Sequence, residues 1–358
     1  MSLRLLAPLL WILVVAAALE VALEVRAQRL GWPTLLFGAP QSAEAGGAAN
    51  GPTREFPFRS PLLDMSTGSS AAPSAPRVWF ASASYGEDVQ LAVREVFPNL
   101  TVELLRERGI ECVALNASSA GHTTASNAAE LRERGGEFNP RVVVLYQMSN
   151  DIDKLSATLG ARGWRSAAER GAPPSESLVK AAAPNEGFQW GLWLGRQVEA
   201  TTIYKHLKSL ATSRVATQRP LVDTLGSEGE LLFEQRVLEL VAAARASGAT
   251  PVLCTFATAY TLDNLASTPQ EYELNLLRFN VFLSLRGWLD SVERFNAVLR
   301  TVAEREQVQL IDVSAAQSGR SELFRDMWHF TKVGHAEVAR LMADDLARTP
   351  ALTNGAPR

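Results

Sequence analysis

Between residues 77 and 348 the chain repeats one pattern, a short unbroken apolar run followed by a longer stretch with helical spacing of its apolar positions. The runs are Arg77-Val-Trp-Phe-Ala-Ser82, Cys112 to Asn116, Val142 to Tyr146, Pro251 to Phe256 and Val308 to Val313. Their Val, Ile and Leu are continuous and do not alternate with polar residues, so each run reads as a strand covered on both faces, the habit of a parallel sheet. Helix-length segments separate them, the first at Val89 to Arg108. The pattern predicts a three-layer α/β/α sandwich around a parallel sheet of five strands. Ligands of such sheets sit beyond the carboxyl ends of the strands, so the turn after each run is where chemistry is sought.

Outside this region the pattern changes. Residues 1–29 open with Met1-Ser-Leu-Arg4 and the apolar run Leu5 to Leu19, which predicts a membrane anchor or a signal segment. The run of about 15 residues is short against the roughly 20 of a full span, but Val21 to Leu23 can extend it. Ala16-Ala17-Ala18 could serve as a cleavage site, and the helical pattern running on to Arg29 favours retention. Residues 30–76 are rich in Ala, Gly, Ser and Pro and read as a tether. The domain itself spans 77–348 and contains a helical insertion at about 155–226, longer than a crossover needs. Within it, Phe188-Gln-Trp190-Gly-Leu-Trp193 and Tyr204, Lys205, His206 and Lys208 suit either a helix packed on the domain or a lid. Residues 349–358 read as a flexible tail.

Composition narrows the function classes. A chain of 358 residues with 47% hydrophobic and 20% charged content is ordinary for a globular protein, and a net charge of -3 gives no electrostatic footprint for nucleic acid. The two cysteines, Cys112 and Cys254, fall in core-strand runs and read as small hydrophobes. No cluster of Cys and His has metal-ligand spacing.

Candidate chemistry lies in the turns. Asp326-Met-Trp-His329-Phe-Thr-Lys-Val-Gly334-His335 places an acid three residues before a histidine, a spacing that lets a carboxylate hold Nδ1–H while Nε2 takes a proton from a nucleophile. After the first strand, Ala81-Ser82-Ala83-Ser84-Tyr85-Gly86 offers serine hydroxyls at the start of a helix. After the second, Asn116-Ala-Ser-Ser-Ala-Gly121-His122 holds a glycine whose N–H can approach a ligand closely. After the third, Gln147-Met-Ser-Asn150-Asp151 supplies an amide donor.

The order serine turn, glycine turn, asparagine turn and Asp-x-x-His resembles the SGNH hydrolases, the GDSL-like family, over about Arg77 to Leu346. The resemblance implies a flavodoxin-like five-stranded sheet and a serine esterase that needs neither metal nor organic cofactor. It makes Ser82 the nucleophile, by setting Tyr85-Gly86 against the aromatic-Gly pair that often ends the first block, with Ser84 as a second hydroxyl nearby. It makes His329 the base and Asp326 its orienter, with Ser82 N–H, Gly121 N–H and Asn150 as oxyanion donors. Two departures stand out: Phe80-Ala81-Ser82 replaces the usual Gly-Asp-Ser or Gly-Gly-Ser, and Met148 stands where the third block usually has glycine.

With the amino-terminal segment, the resemblance implies an enzyme at the cell membrane with an exported catalytic domain, or a secreted one if the segment is cleaved. Its substrate would be an acyl ester, a small molecule or one carried by an envelope glycan or lipid. The same triad would also serve a glycan O-acyltransferase, and the altered first and third blocks would fit a noncatalytic binding or scaffold protein.

Overall fold

The computed structural model describes residues 75–161 and 222–353 apart from 278 and 281, together with 20–22 and 25. The tether, most of the amino-terminal segment and most of the 155–226 insertion lie outside these residues. Among the described residues no helix is long and apolar enough to cross a membrane.

Strands β1 (Arg77–Ala81), β2 (Val113–Asn116), β3 (Val142–Leu145), β4 (Thr250–Cys254) and β5 (Gln309–Ile311) form an all-parallel sheet in the order β2-β1-β3-β4-β5. This is the flavodoxin-like order, with β1 at the switch point between β2 and β3. Phe80 stands opposite Asn116 on one side and Val144 on the other, and Leu145 stands opposite Ala81 and Leu253. That register brings the turns after β1, β2 and β3 out at the same edge. Consecutive residues Val78 to Ala81 and Val142 to Leu145 are all buried, so both faces of the sheet are covered, as unbroken apolar runs require. Helix α2 (Phe97–Glu107) packs against α9 (Lys332–Leu346) in one layer. Helices α3 (Thr124–Phe138), α4 (Ser149–Ala161), α5 (Gly226–Ala246) and α7 (Leu285–Arg305) pack together in the other. Phe233 of α5 and Phe295 of α7 stack there with centroids 4.3 Å apart. Cys112 and Cys254 are buried free thiols, and burial pushes Cys112 up to about 12.

The structure redraws several boundaries. The helix expected from Val89 starts late: a separate single turn, α1 (Ser84–Glu87), ends before it at Asp88, a 3-10 turn spans Val93–Glu95, and α2 begins at Phe97. Pro98 explains the restart, because proline is accommodated in the first turn of a helix and disrupts an interior. Strand β4 stops at Cys254 because both backbone groups of Phe256 are taken by the Asn296 side chain of α7, at 2.7 and 2.9 Å. Strand β5 stops at Ile311 because Asp312 caps α8 (Val313–Gln317). Past residue 348, where a flexible tail was expected, a last turn at Pro350–Thr353 buries Leu352.

Two glycines are set by close approach. A Cβ on Gly86 in α1 would stand 2.3 Å from Ser118 Oγ and 2.9 Å from Ser82 Oγ. One on Gly334, in the first turn of α9, would stand 2.1 Å from the Leu323 carbonyl oxygen. Both positions lie where an element following a turn presses onto another turn; the obstacle is backbone at Gly334 and the serine side chains at Gly86.

Two measurements follow from this packing. Gly86→Ala should cost about 1–3 kcal/mol in equilibrium unfolding, the range for overpacking a tight site. An unchanged unfolding midpoint would show that α1 is not pressed against the β2 turn. At Asp312 burial raises the carboxyl, but hydrogen bonds from Arg300 and Thr255 outweigh it and leave it below its ordinary value. A depressed carboxyl stabilises the fold above its unfolded pKa of about 4 and loses that contribution as pH falls through its folded value. Asp312→Asn, which keeps a cap acceptor and removes the charge, should therefore lower Tm by about 2 °C at pH 7, with the gap to the parent closing below about pH 4. A gap that persists at pH 3 would assign the loss to the cap and not to the charge.

Candidate active site

The segment 324–330 is a tight loop closed by an antiparallel bridge between Phe324 and Phe330 and by Arg325 N–H donating to the His329 carbonyl at 2.7 Å. Within it Asp326 divides its two oxygens. Oδ1 accepts from the N–H groups of Trp328 (3.0 Å) and His329 (2.8 Å), the local geometry that a three-residue spacing allows. Oδ2 lies 2.7 Å from His329 Nδ1. A carboxylate can only accept, so Nδ1 carries the proton, and the neutral form of the ring has its lone pair on Nε2. Burial raises the Asp326 carboxyl, but the hydrogen bond and charge of His329 and the two backbone donors outweigh it, holding it below the usual range and ionised. The Met327 carbonyl accepts from Ala259 N–H at 2.9 Å, anchoring the loop to the segment after β4.

The hydroxyl that faces Nε2 is that of Ser84, at 2.9 Å. This corrects the assignment of Ser82. Ser82 is buried and its Oγ donates to the Tyr146 carbonyl at 2.7 Å, pointing into the seam between β1 and β3. Ser84 is the first residue of α1 and is partly exposed, and a first helical residue has no intrahelical acceptor for its N–H.

The turns after β2 and β3 are clasped together at the His122 carbonyl, which accepts from Gln147 Nε2 (2.8 Å) and Asn150 Nδ2 (2.7 Å). Gln147 also accepts from the Tyr85 hydroxyl, so residues beside Ser84, Gly121 and Asn150 are joined in one chain of hydrogen bonds. Gly121 is exposed with a φ of +80°, a conformation open to glycine at no steric cost. Among the described residues its N–H meets no acceptor. Asn150 sits in the first turn of α4 and uses one of its two amide donors on His122. Met148 is buried; its N–H donates to the Tyr85 hydroxyl at 3.2 Å, and its carbonyl accepts from Asp151 N–H at 2.9 Å. The His122 ring lies 3.2 Å from Asn127 Oδ1 by its Nδ1, and Asn127 Nδ2 donates to the Ser82 carbonyl.

Beneath these turns Tyr146 is ringed by Tyr85, Phe97, Phe256 and Phe330 at centroid distances of 5.3 to 6.0 Å. The aromatic floor is buried, and that burial drives the phenols of Tyr85 and Tyr146 well above their ordinary value, so both stay protonated. Chemically, the site offers a hydroxyl beside a correctly protonated imidazole, an ionised carboxylate behind it, and N–H donors on the neighbouring turns. Among the described residues no group of three or more His, Cys, Asp or Glu is placed to hold a metal ion.

No protein-family model matches the chain, and no curated protein matches it. Solved structures similar to it include an acetyl xylan esterase from Geobacillus stearothermophilus, at 13% identity over 76% of this chain and 95% of that one, with a TM-score of 0.43. A lipase/acylhydrolase from Enterococcus faecalis is also 13% identical, over 76% of this chain and 95% of that one, with a TM-score of 0.41. A G-D-S-L family lipolytic protein from Desulfitobacterium hafniense is 9% identical over 75% of this chain and 99% of that one, with a TM-score of 0.41. Likenesses this distant carry no activity over to this chain.

Proposed function

We propose that the chain is a serine esterase of the SGNH type whose nucleophile is Ser84. The observation that carries this reading is the line Ser84 Oγ to His329 Nε2 at 2.9 Å and His329 Nδ1 to Asp326 Oδ2 at 2.7 Å. Both distances are in the range at which a base takes a proton from a nucleophile while a third group holds its tautomer. The fold supports the same reading, since the three turns emerge together at the carboxyl edge of a parallel sheet.

In this mechanism His329 Nε2 takes the Ser84 proton as Oγ attacks the ester carbonyl carbon. The oxygen of the tetrahedral intermediate is held by Ser84 N–H, Gly121 N–H and the free amide donor of Asn150. Protonated His329, stabilised by Asp326, returns the proton to the leaving alkoxide and an acyl-Ser84 ester remains. Water activated by His329 then releases the acid. Asp326 orients and stabilises the imidazolium and does not take up the proton. The amino-terminal apolar segment, an anchor or a signal segment by its sequence, supports an exported site of action, and acyl groups on envelope glycans or lipids are the substrates this reading proposes.

The test is hydrolysis of short-chain p-nitrophenyl esters by the full-length protein and its variants. Ser84→Ala and His329→Ala should each lower kcat by about a thousandfold or more, and Ser82→Ala, which loses a positioning hydrogen bond but keeps the nucleophile, by no more than about a hundredfold. Loss of activity in Ser82→Ala with retention in Ser84→Ala would return the nucleophile to Ser82. A folded parent without hydrolysis, but with transfer of acetyl to an added sugar, would make the chain an acyltransferase.

A further inference from the structure

Behind the Ser84–His329 pair lies a second acid–histidine pair that the proposed mechanism does not use. Asp88 closes α1, its N–H donating to the Ser84 carbonyl at 2.8 Å, with a φ of +28°. A residue with a Cβ holds such a backbone only where its surroundings over-determine it. Here they do: Asp88 Oδ2 lies 2.9 Å from His335 Nε2 and accepts from Arg325 Nη2 at 2.7 Å, while Oδ1 lies 3.3 Å from Gln90 N–H. His335 is fully buried and its Nδ1 accepts from Phe97 N–H at 3.1 Å. That donor leaves the ring proton on Nε2, so His335 is a neutral donor to a carboxylate whose charge is matched by Arg325. Burial lowers His335 further than the Asp88 bond restores it, in keeping with a neutral ring.

The three side chains come from three places: the nucleophile turn, the acid–base loop and the first turn of α9. Arg325 is the pivotal one. Its backbone N–H holds the His329 carbonyl at 2.7 Å, its Nη2 holds Asp88, and its Nη1 reaches Gln90 Oε1. The backbone that carries Ser84 and the backbone that carries His329 are therefore bolted to each other through one guanidinium and one carboxylate, a few residues from the reacting atoms and without touching them.

We propose that Asp88, Arg325 and His335 are positioning residues, a clamp with a buried carboxylate and imidazole and a half-buried guanidinium, that sets the distance between Ser84 Oγ and His329 Nε2. The proposal rests on the reading of that pair as nucleophile and base. Removing the clamp leaves both groups present and lets their supporting turns drift, and a misplacement of about 1 Å can lower a rate about a hundredfold.

Arg325→Ala and Arg325→Lys in the full-length protein test it, through p-nitrophenyl acetate kinetics and the rate at which a fluorophosphonate probe labels Ser84. In Arg325→Ala, kcat and labelling should fall together by about a hundredfold with KM changed less than about threefold, and added guanidinium should restore part of both. Arg325→Lys keeps the charge but cannot span Asp88 and Gln90 as the planar fork does, so it should remain folded with kcat lowered about tenfold. That variant decides the matter if Arg325→Ala does not fold. Wild-type kcat and labelling in a folded Arg325→Lys or Arg325→Ala protein would overturn the clamp while leaving the Ser84–His329 reading intact. Failure of the probe to label the folded parent would instead overturn that reading and the clamp with it.

Discussion

The hydrogen bond from Ser82 to the Tyr146 carbonyl is the contact on which the site geometry depends. It runs across the switch point of the sheet, between the residues just past the ends of β1 and β3, and is doubled by Tyr146 N–H donating to the Ala81 carbonyl at 3.0 Å. With Ser82 turned inward and satisfied, the chain begins α1 two residues later and presents Ser84 at the edge. Tyr146 can serve as the fixed point because its ring is held among four other aromatic rings, so its carbonyl has little freedom. Gly86 completes the arrangement, since only a residue without Cβ lets α1 sit against both Ser82 and Ser118.

The sheet could be read from the chain because strands buried on both faces write their position in an unbroken apolar run, a signal local to each strand. Asp326 and His329 could be read for the same reason, since an acid three residues ahead of a histidine meets it through the geometry of a single turn. The serine could not. Ser82 and Ser84 differ in what they touch, and those partners lie 64 and 245 residues away. The alignment of Tyr85-Gly86 pointed to Ser82, but that glycine is demanded by the approach of Ser118 and says nothing of which hydroxyl faces the base. With Ser84 in place the departure from the Gly-Asp-Ser pattern also moves. Ala81 lies in β1 opposite Leu145, where its methyl is ordinary core, and Ser82-Ala83 occupy the turn instead. The separate turn α1 was hidden likewise, because Asp88 at its end is held by His335, 247 residues on.

Two buried carboxylates near this edge, Asp151 and Asp88, and the half-buried Asp326 show one device used three times. Asp151 accepts from Thr124 N–H and Oγ1 at 2.9 Å each, from Gln147 Nε2 at 3.2 Å and from Arg236 Nη1 at 3.0 Å, tying the β2 turn, the β3 turn and α5. Asp88 ties the β1 turn, the 324–330 loop and α9, and Asp326 folds that loop on itself. A buried carboxylate costs several kcal/mol unless donors surround it, and breaking one partner of such a pair costs about 3–5 kcal/mol. Segments that carry those donors are therefore forced to meet at fixed distances. Apolar packing holds the layers together but tolerates small slides; charged hydrogen bonds with defined directions do not. Placing them around the turns of β1, β2 and β3 makes the arrangement that satisfies the buried charges the same one that holds Ser84, His329, Gly121 and Asn150 at one edge of the sheet.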